Sequence, residues 1–221
     1  MSLVVITRAT ATALTTPANV RSDLGLAADS PSDDQLRRFI DQASETAATY
    51  CRRIFGRQTM REHFDLCRRG TWCAEPLLSG APVNSVASVS LDGTVLDPSG
   101  YRLDEEPADP ISLFYLRLLH SGTPILWRGR SAAVEYKTGW FLPSDSGSAP
   151  AGVPLLPAAV ERAVILLVGV ALSGSGRDIM IKSEQTEGVG QTDYYVQGTS
   201  AALPHPEAES ILSAYRRVMF A

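Results

Sequence analysis

Apolar residues recur at helical spacing through the first quarter of the chain. Leu36, Phe39, Ile40, Ala43, Ala47, Tyr50, Cys51 and Ile54 fall on one stripe, and Arg37, Arg38, Asp41, Gln42, Glu45, Thr49 and Arg52 fall opposite it. Ser32-Asp33-Asp34-Gln35 forms a capping box with two acids in the first turn; Arg52 and Arg53 stand in the last turn and Gly56 supplies a stop. The pattern predicts one long two-sided helix, preceded by a short one that Thr16-Pro17 opens, that runs through Val20 and Leu24 and that Gly25 closes. A different pattern occupies residues 157–173, PAAVERAVILLVGVALS. Only Glu161 and Arg162 interrupt it, and residues 163–172 are apolar on every side, so a helix there needs cover all round, from a core or from a neighbouring subunit. Pro157 is read at its first position, with Gly174 and Gly176 ending it. A last amphipathic helix follows His205-Pro206, with Ala208, Ile211, Leu212, Tyr215 and Met219 on its stripe.

Between the long helix and residue 157 the period shortens to two. Met60, Phe64 and Leu66 alternate with Thr59, Arg61, His63 and Asp65; Ala87, Val89 and Leu91 alternate with Ser88 and Ser90; Ala132, Val134 and Tyr136 alternate with Ala133, Glu135 and Lys137. Asp92-Gly93 is a hairpin signal leading to Thr94-Val95-Leu96. Residues 101–103, 111–116 and 125–127 are further candidate strands, although 111–119 is apolar at both periods and also fits a helix. PSDSGSAPAGVP, residues 143–154, has loop composition and closes the β region. The fold class read from this order is α+β: a small bundle of about four helices, an inserted antiparallel β-subdomain and an extended polar C-terminal arm. The segments are 1–56 for the first helices, 57–142 for the β-subdomain, 143–181 for the loop and apolar helix, and 182–221 for the arm and last helix.

Composition narrows the class. The 221 residues are 44% hydrophobic and 20% charged, the balance of an ordinary globular protein. A net charge of -4 argues against a chain built to grip nucleic acid, though not against DNA passing nearby. The first apolar run, residues 3–6, is too short for a signal peptide, and the apolar helix is shorter than a bilayer span, so a cytoplasmic protein without membrane contact is expected. Three cysteines, Cys51, Cys67 and Cys73, fit a reducing compartment.

No chemistry-bearing constellation emerges. His63, Cys67 and Cys73 lack a paired C-x-x-C knuckle and a fourth ligand, and neither Gly174-Ser175-Gly176 nor Gly188-Val189-Gly190 carries the Lys-Ser/Thr of a phosphate loop. With only His63, His120 and His205 available, a histidine-dependent hydrolase has little support. Asp104, Glu105, Glu106 and Asp109 are interrupted by prolines and read as a solvated loop rather than a cation site. Arg37, Arg38, Arg52, Arg53, Arg57, Arg61, Arg68 and Arg69 concentrate positive charge; a solvated helix face and a contact surface for an acidic partner or passing DNA are about equally supported readings.

The succession SPSDDQLRRFIDQASETAATYCRRIFGR, LLSGAPVNSVASVSLDGTVLDPSGYRLD, SAAVEYKTGW and LPAAVERAVILLVGVAL resembles the head-tail connector (adaptor) proteins of tailed bacteriophages and prophages over residues 30–172. The stretch IKSEQTEGVGQTDYY also resembles the pattern after their last core helix. Lys137-Thr138-Gly139-Trp140 departs from the family in lacking alanine before glycine, and so does the run into Gly174-Ser175-Gly176 where relatives often carry tyrosine and acids. The resemblance implies a structural, non-enzymatic virion protein without cofactor or metal, in the neck of the particle and in the host cytoplasm during assembly. It implies a ring of twelve copies beneath the portal, with a stopper or tail terminator below and genomic DNA passing through. Glu184, Tyr194, Tyr195, Tyr215, Arg216, Arg217 and Phe220, with Arg37, Arg38, Arg52 and Arg53, are then candidate contacts to portal or neighbouring subunit, and Asp104, Glu105, Glu106 and Asp109 candidate lumen acids. Rival readings are a small enzyme or ligand-binding domain, and another neck component such as a stopper or tail-completion protein.

Overall fold

A computed structural model describes residues 2–68, 71–72, 75–175, 183–186, 190–193 and 202–217. In chain order the elements are β1 (Ser2–Thr7), α1 (Pro17–Leu24), α2 (Asp33–Cys51), β2 (Gln58–Asp65), β3 (Cys67–Arg68), β4 (Thr71–Trp72), β5 (Val83–Leu91), β6 (Thr94–Val95), β7 (Tyr101–Glu106), β8 (Leu113–His120), β9 (Thr123–Ile125), β10 (Ser131–Thr138), α3 (Ala158–Gly174), β11 (Ser183–Thr186), β12 (Gly190–Asp193) and α4 (Pro206–Ala214). Among the described residues, four α-helices and antiparallel sheets give the mixed α+β class. The chain divides into two compact units: Met1–Ala11 with Ile54–Phe141 and Asp145–Leu155, and Thr12–Arg53 with Leu142–Ser144 and Leu156–Ala221.

The first unit is a β structure. Its larger sheet runs β1-β2-β10-β5-β6 and its smaller one β7-β8-β9. Met60 and Phe64 of β2, Val89 of β5 and Ala132, Val134 and Tyr136 of β10 share a buried cluster with Phe114, Leu116 and Leu118 of β8 and with Trp127. The Trp127 Nε1–H donates to the Leu116 carbonyl at 3.2 Å, so the ring is buried without orphaning its one polar group. Residues 111–119, ambiguous in sequence, are strand over Leu113–His120, and their alternate residues Phe114, Leu116 and Leu118 supply the core. At Asp92-Gly93 both residues have positive φ, 50° and 84°, the geometry of the tight hairpin that the dipeptide predicts. Three strands of this unit were not anticipated from sequence. β1 pairs antiparallel with β2, and the short β3 pairs with β4. The acids expected in a loop also lie elsewhere: Asp104, Glu105 and Glu106 stand on β7, opposite Tyr115, Phe114 and Leu113 of β8. That pairing carries the strand to Glu106, and the loop begins only at Pro107.

In the second unit α3 packs against α1, α2 and α4, and α2 also meets α1 and α4. The caps follow the sequence. Thr16 Oγ1 accepts from the Asn19 N–H, Ser32 Oγ from the Gln35 N–H, and Gly25 closes α1 in the left-handed region. The end of α2 differs from expectation. The helix stops at Cys51, where Arg52 takes a left-handed conformation (φ 52°) and the Arg52 and Arg53 N–H groups turn back onto the Thr49 and Ala48 carbonyls. This is the reversal usually assigned to glycine, made here by an arginine directly after Cys51, the last buried position of the stripe. Gly56 lies beyond the helix, in a parallel bridge with Trp140. At α3, Pro157 is the N-cap rather than the first helical residue. Within the polar arm, β11 and β12 pair with each other antiparallel. Met219 and Phe220 lie outside the described residues.

Candidate assembly surfaces

The apolar helix α3 is not covered on all sides within the described chain. Val160, Ala163, Val164, Ile165, Leu167 and Val168 are buried, whereas Leu166, Val170, Ala171 and Leu172 are only half-buried. Leu167, Val170 and Ala171 line a groove of about 400 Å³ with Phe39 and Ala43 of α2 and with Pro204. A second groove of about 540 Å³ continues along α2, between Thr46, Thr49 and Tyr50 and the Ala202-Leu203 segment. Sequence periodicity placed Phe39 and Ala43 on the buried stripe without revealing that the stripe is wider than the helices covering it. Glu161, one of the two residues that interrupt the apolar run, is tied to α1: it accepts from Thr15 Oγ1 at 2.8 Å and from Asn19 Nδ2 at 2.7 Å. Arg162 is the exposed member of the pair.

The arginines that cluster in sequence fall into separate settings. Arg37 bonds Asp34 at 2.8 Å along the surface of α2, and Arg38 and Arg52 are exposed. Arg53 is half-buried; desolvation pulls its pKa down, with Cys51 opposing and Arg217 reinforcing that shift. In the β unit Arg57 reaches Asp145 at 3.1 Å and lies over the Phe141 ring, and Arg61 bonds Glu135 at 2.8 Å across the sheet. Arg69 lies outside the described residues. Arg57 and Arg61 therefore spend their charge on carboxylates of the same unit.

The candidate acids differ among themselves. Asp104 is bonded by Arg102 and by Arg117, at 3.0 Å for the latter, and the Arg102 hydrogen bond holds its carboxyl below the usual range. Arg117 also reaches Glu75 at 3.0 Å, so the outer face of β7 and β8 carries a charge-balanced row. Glu105, Glu106 and Asp109 are exposed. On Tyr115, opposite Asp104, burial and the adjacent Glu106 raise the phenol pKa.

At the C-terminus, His205 caps α4 through Nδ1, which accepts from the Ala208 N–H. Tyr215 is buried, the Arg217 N–H donates to the Cys51 carbonyl at 2.9 Å, and the Arg216 guanidinium lies 5.0 Å from the centre of the Tyr50 ring. Of this group Arg216 is the exposed one. Glu184 stands on β11 opposite Thr192; Tyr194, Tyr195 and Phe220 lie outside the described residues. Cys51 is buried and free, and its thiol, against the Leu212 carbonyl, is pushed up to about 11 by desolvation.

Nothing among these surfaces gathers catalytic groups. Among the described residues no three His, Cys, Asp or Glu side chains converge as a metal site would require, and no helix is long and apolar enough to cross a membrane. Of the His63-Cys67-Cys73 set, Cys73 and the Cys67 side chain lie outside the described residues. Sequence reasoning also missed a surface on the β unit, the strand β1, whose Val4, Val5 and Ile6 are exposed. The signal available was the uncharged run Leu3-Val4-Val5-Ile6 close to the chain start.

No family model and no curated protein matches the sequence. Solved structures do match over the whole chain. One is a chain in the virion of a native gene transfer agent particle, 20% identical with a TM-score of 0.55. A second is in the neck of a native gene transfer agent particle computed with C12 symmetry, 19% identical with a TM-score of 0.53. A third is in the neck of an empty particle computed with C6 symmetry, 20% identical with a TM-score of 0.52. Each likeness covers 100% of this chain and 98% of the other. At such identity the finding establishes a shared fold across both units.

Proposed function

We propose that this chain is a structural protein of a virion neck, a head-tail connector of adaptor type that forms a ring below the portal and joins the DNA-filled head to the tail. The observation that carries the reading is the end-to-end fold likeness to chains of gene transfer agent particles, two of them neck structures. A domain shared by chance would match in part; here neither chain has much left over. The symmetry of the neck computed with C12 favours twelve copies, and head-to-tail contacts between two different faces of a subunit are what a closed ring requires. The grooves along α2, one of them shared with α3, and the uncovered strand β1 are surfaces of the kind such contacts use. The role is structural, without catalysis or cofactor. The partners are further copies of the chain, the portal, and a stopper or tail terminator, with genomic DNA passing without sequence-specific grip.

Within this reading Arg37, Arg38, Arg52 and Arg216 are the exposed candidates for portal or subunit contacts, with Arg53, Arg217 and Tyr215 supporting them from below. Glu184, Tyr194, Tyr195 and Phe220 belong to the same proposed contact segment, residues 182–221, with residues 157–173 as the central strut. Glu105, Glu106 and Asp109 are the acids free to repel DNA phosphates from a lumen, and Asp104 contributes less because Arg102 and Arg117 already neutralise it. The test is a particle-producing strain lacking this gene. It should accumulate packaged heads with portals and no tails, and normal tailed particles from that strain would reject the proposal.

A further inference from the structure

The five-stranded sheet has two open edges, and they match. At one end β1 pairs only with β2. At the other, β5 is nine residues long but meets β6 only at Ser90 and Leu91, with one further bond from the Leu96 N–H to the Val89 carbonyl. Positions 83–88 of β5 therefore have an open outer side, a stretch as long as the six residues of β1. Among the described residues no backbone hydrogen bond reaches the outer side of either stretch. Their sequences, SLVVIT and VNSVAS, contain no charge and no proline, the two commonest guards of an open edge. β1 also exposes Val4, Val5 and Ile6 at 52%, 37% and 44%.

We infer that β1 of one copy pairs with positions 83–88 of β5 in the next, so that the larger sheet continues from subunit to subunit. The inference rests on the ring reading above and names its contact. The occupant is a second copy because donor and acceptor are the opposite ends of one sheet, equal in length and alike in lacking charge. Strand direction agrees. β1 is antiparallel to β2, β2 to β10 and β10 to β5, so β1 and β5 run in opposite senses. A rotation about an axis along the strands preserves those senses and brings the next β1 antiparallel to β5, the pairing used throughout the sheet. The contact is heterologous, and heterologous contacts close into rings. β6 blocks the far end of β5 and sets where the incoming strand stops. Bulges interrupt the ladder at Ile6 in β1 and at Asn84 and Ala87 in β5, and bulges can guard an edge as well as add twist, so the pairing needs a direct test.

That test is crosslinking in assembled particles. Val4→Cys and Ser85→Cys are introduced singly and together, and particles are treated with a short bis-maleimide, with the parent chain controlling for native cysteines. The inference expects a ladder of multimers from the double variant alone. Dimers from Val4→Cys alone would mean that β1 pairs with itself, and would overturn it. Rings present on the particles but no ladder would overturn it while leaving the neck reading intact; particles that never carry the chain would overturn both. As a second measurement, Val4→Lys charges the edge on the face away from the core, where the residue opposite is the exposed Arg61. At least tenfold less chain per particle, with an unchanged melt of the isolated protein, is expected, and normal incorporation would count against the pairing.

Discussion

The Tyr136 hydroxyl donates to Glu62 Oε1 at 3.0 Å, in the interior of the β unit where neither side chain has solvent access. The Ser79 N–H donates to both oxygens of the same carboxylate at 3.1 Å, and the Gly80 N–H donates to the Tyr136 oxygen at 2.9 Å. A buried carboxylate is tolerated only when its oxygens are occupied, and here the Ser79 N–H and the Tyr136 hydroxyl occupy them. Tyr136→Phe removes one donor to Glu62 and the acceptor for Gly80 together. A loss of about 1–3 kcal/mol is expected in a denaturant titration, the cost of buried groups left unpaired. A loss below about 0.5 kcal/mol would show that water or a neighbour replaces the hydroxyl.

Gly139 holds a turn that other residues cannot make. Its φ is 106°, and a Cβ there would meet the Gly56 carbonyl oxygen at 2.4 Å, backbone that cannot rotate away. Gly139→Ala should cost about 1–3 kcal/mol, the strain of a side chain held at such a φ, and should lower the melting temperature by several degrees. Gly152→Ala has a positive φ but open space around it, and should cost less than Gly139→Ala in the same assay.

Glu161 joins α3 to α1 through Thr15 and Asn19. Glu161→Ala is expected to destabilise the helical unit by about 1–3 kcal/mol, and hydrogen exchange should rise first in α1, the element it holds. Equal protection of α1 in the variant and the parent would contradict this assignment.

Cys51 gives a pH signature. Its thiol, normally near 9, is raised to about 11 by burial, so between those values the folded chain keeps a proton that the unfolded chain has lost. The sign follows: this contribution is intact below pH 9 and disappears as pH climbs through about 11. Denaturant titrations of the parent should show stability falling across that window more steeply than those of Cys51→Ala, whose absolute stability will be lower because a buried side chain is removed. Parallel curves would contradict the assignment.

Much of this fold was legible because its signals are local. Ser32 caps α2, Thr16-Pro17 and Gly25 bracket α1, and Asp92-Gly93 turns the β5–β6 hairpin, each through atoms within four residues. What escaped depends on distant partners. Glu62 falls on the apolar side of the β2 alternation, and nothing near it in sequence shows that Tyr136 and Ser79 come from elsewhere in the chain to satisfy it. β1 is a short apolar run without alternation, and only β2, more than fifty residues on, makes it a strand. Arg52 ends α2 in a conformation that its residue type disfavours, so no sequence rule places the stop there. The candidate surfaces follow the same division. The apolar character of α3 was plain, but which of its residues stay uncovered depends on how far α1, α2 and α4 reach around it.

The most direct measurement is cryo-electron microscopy of particles carrying an epitope-tagged form of this chain. The account predicts a single ring of twelve tagged copies between portal and tail. Tag density elsewhere on the particle, or none on tailed particles, would contradict it.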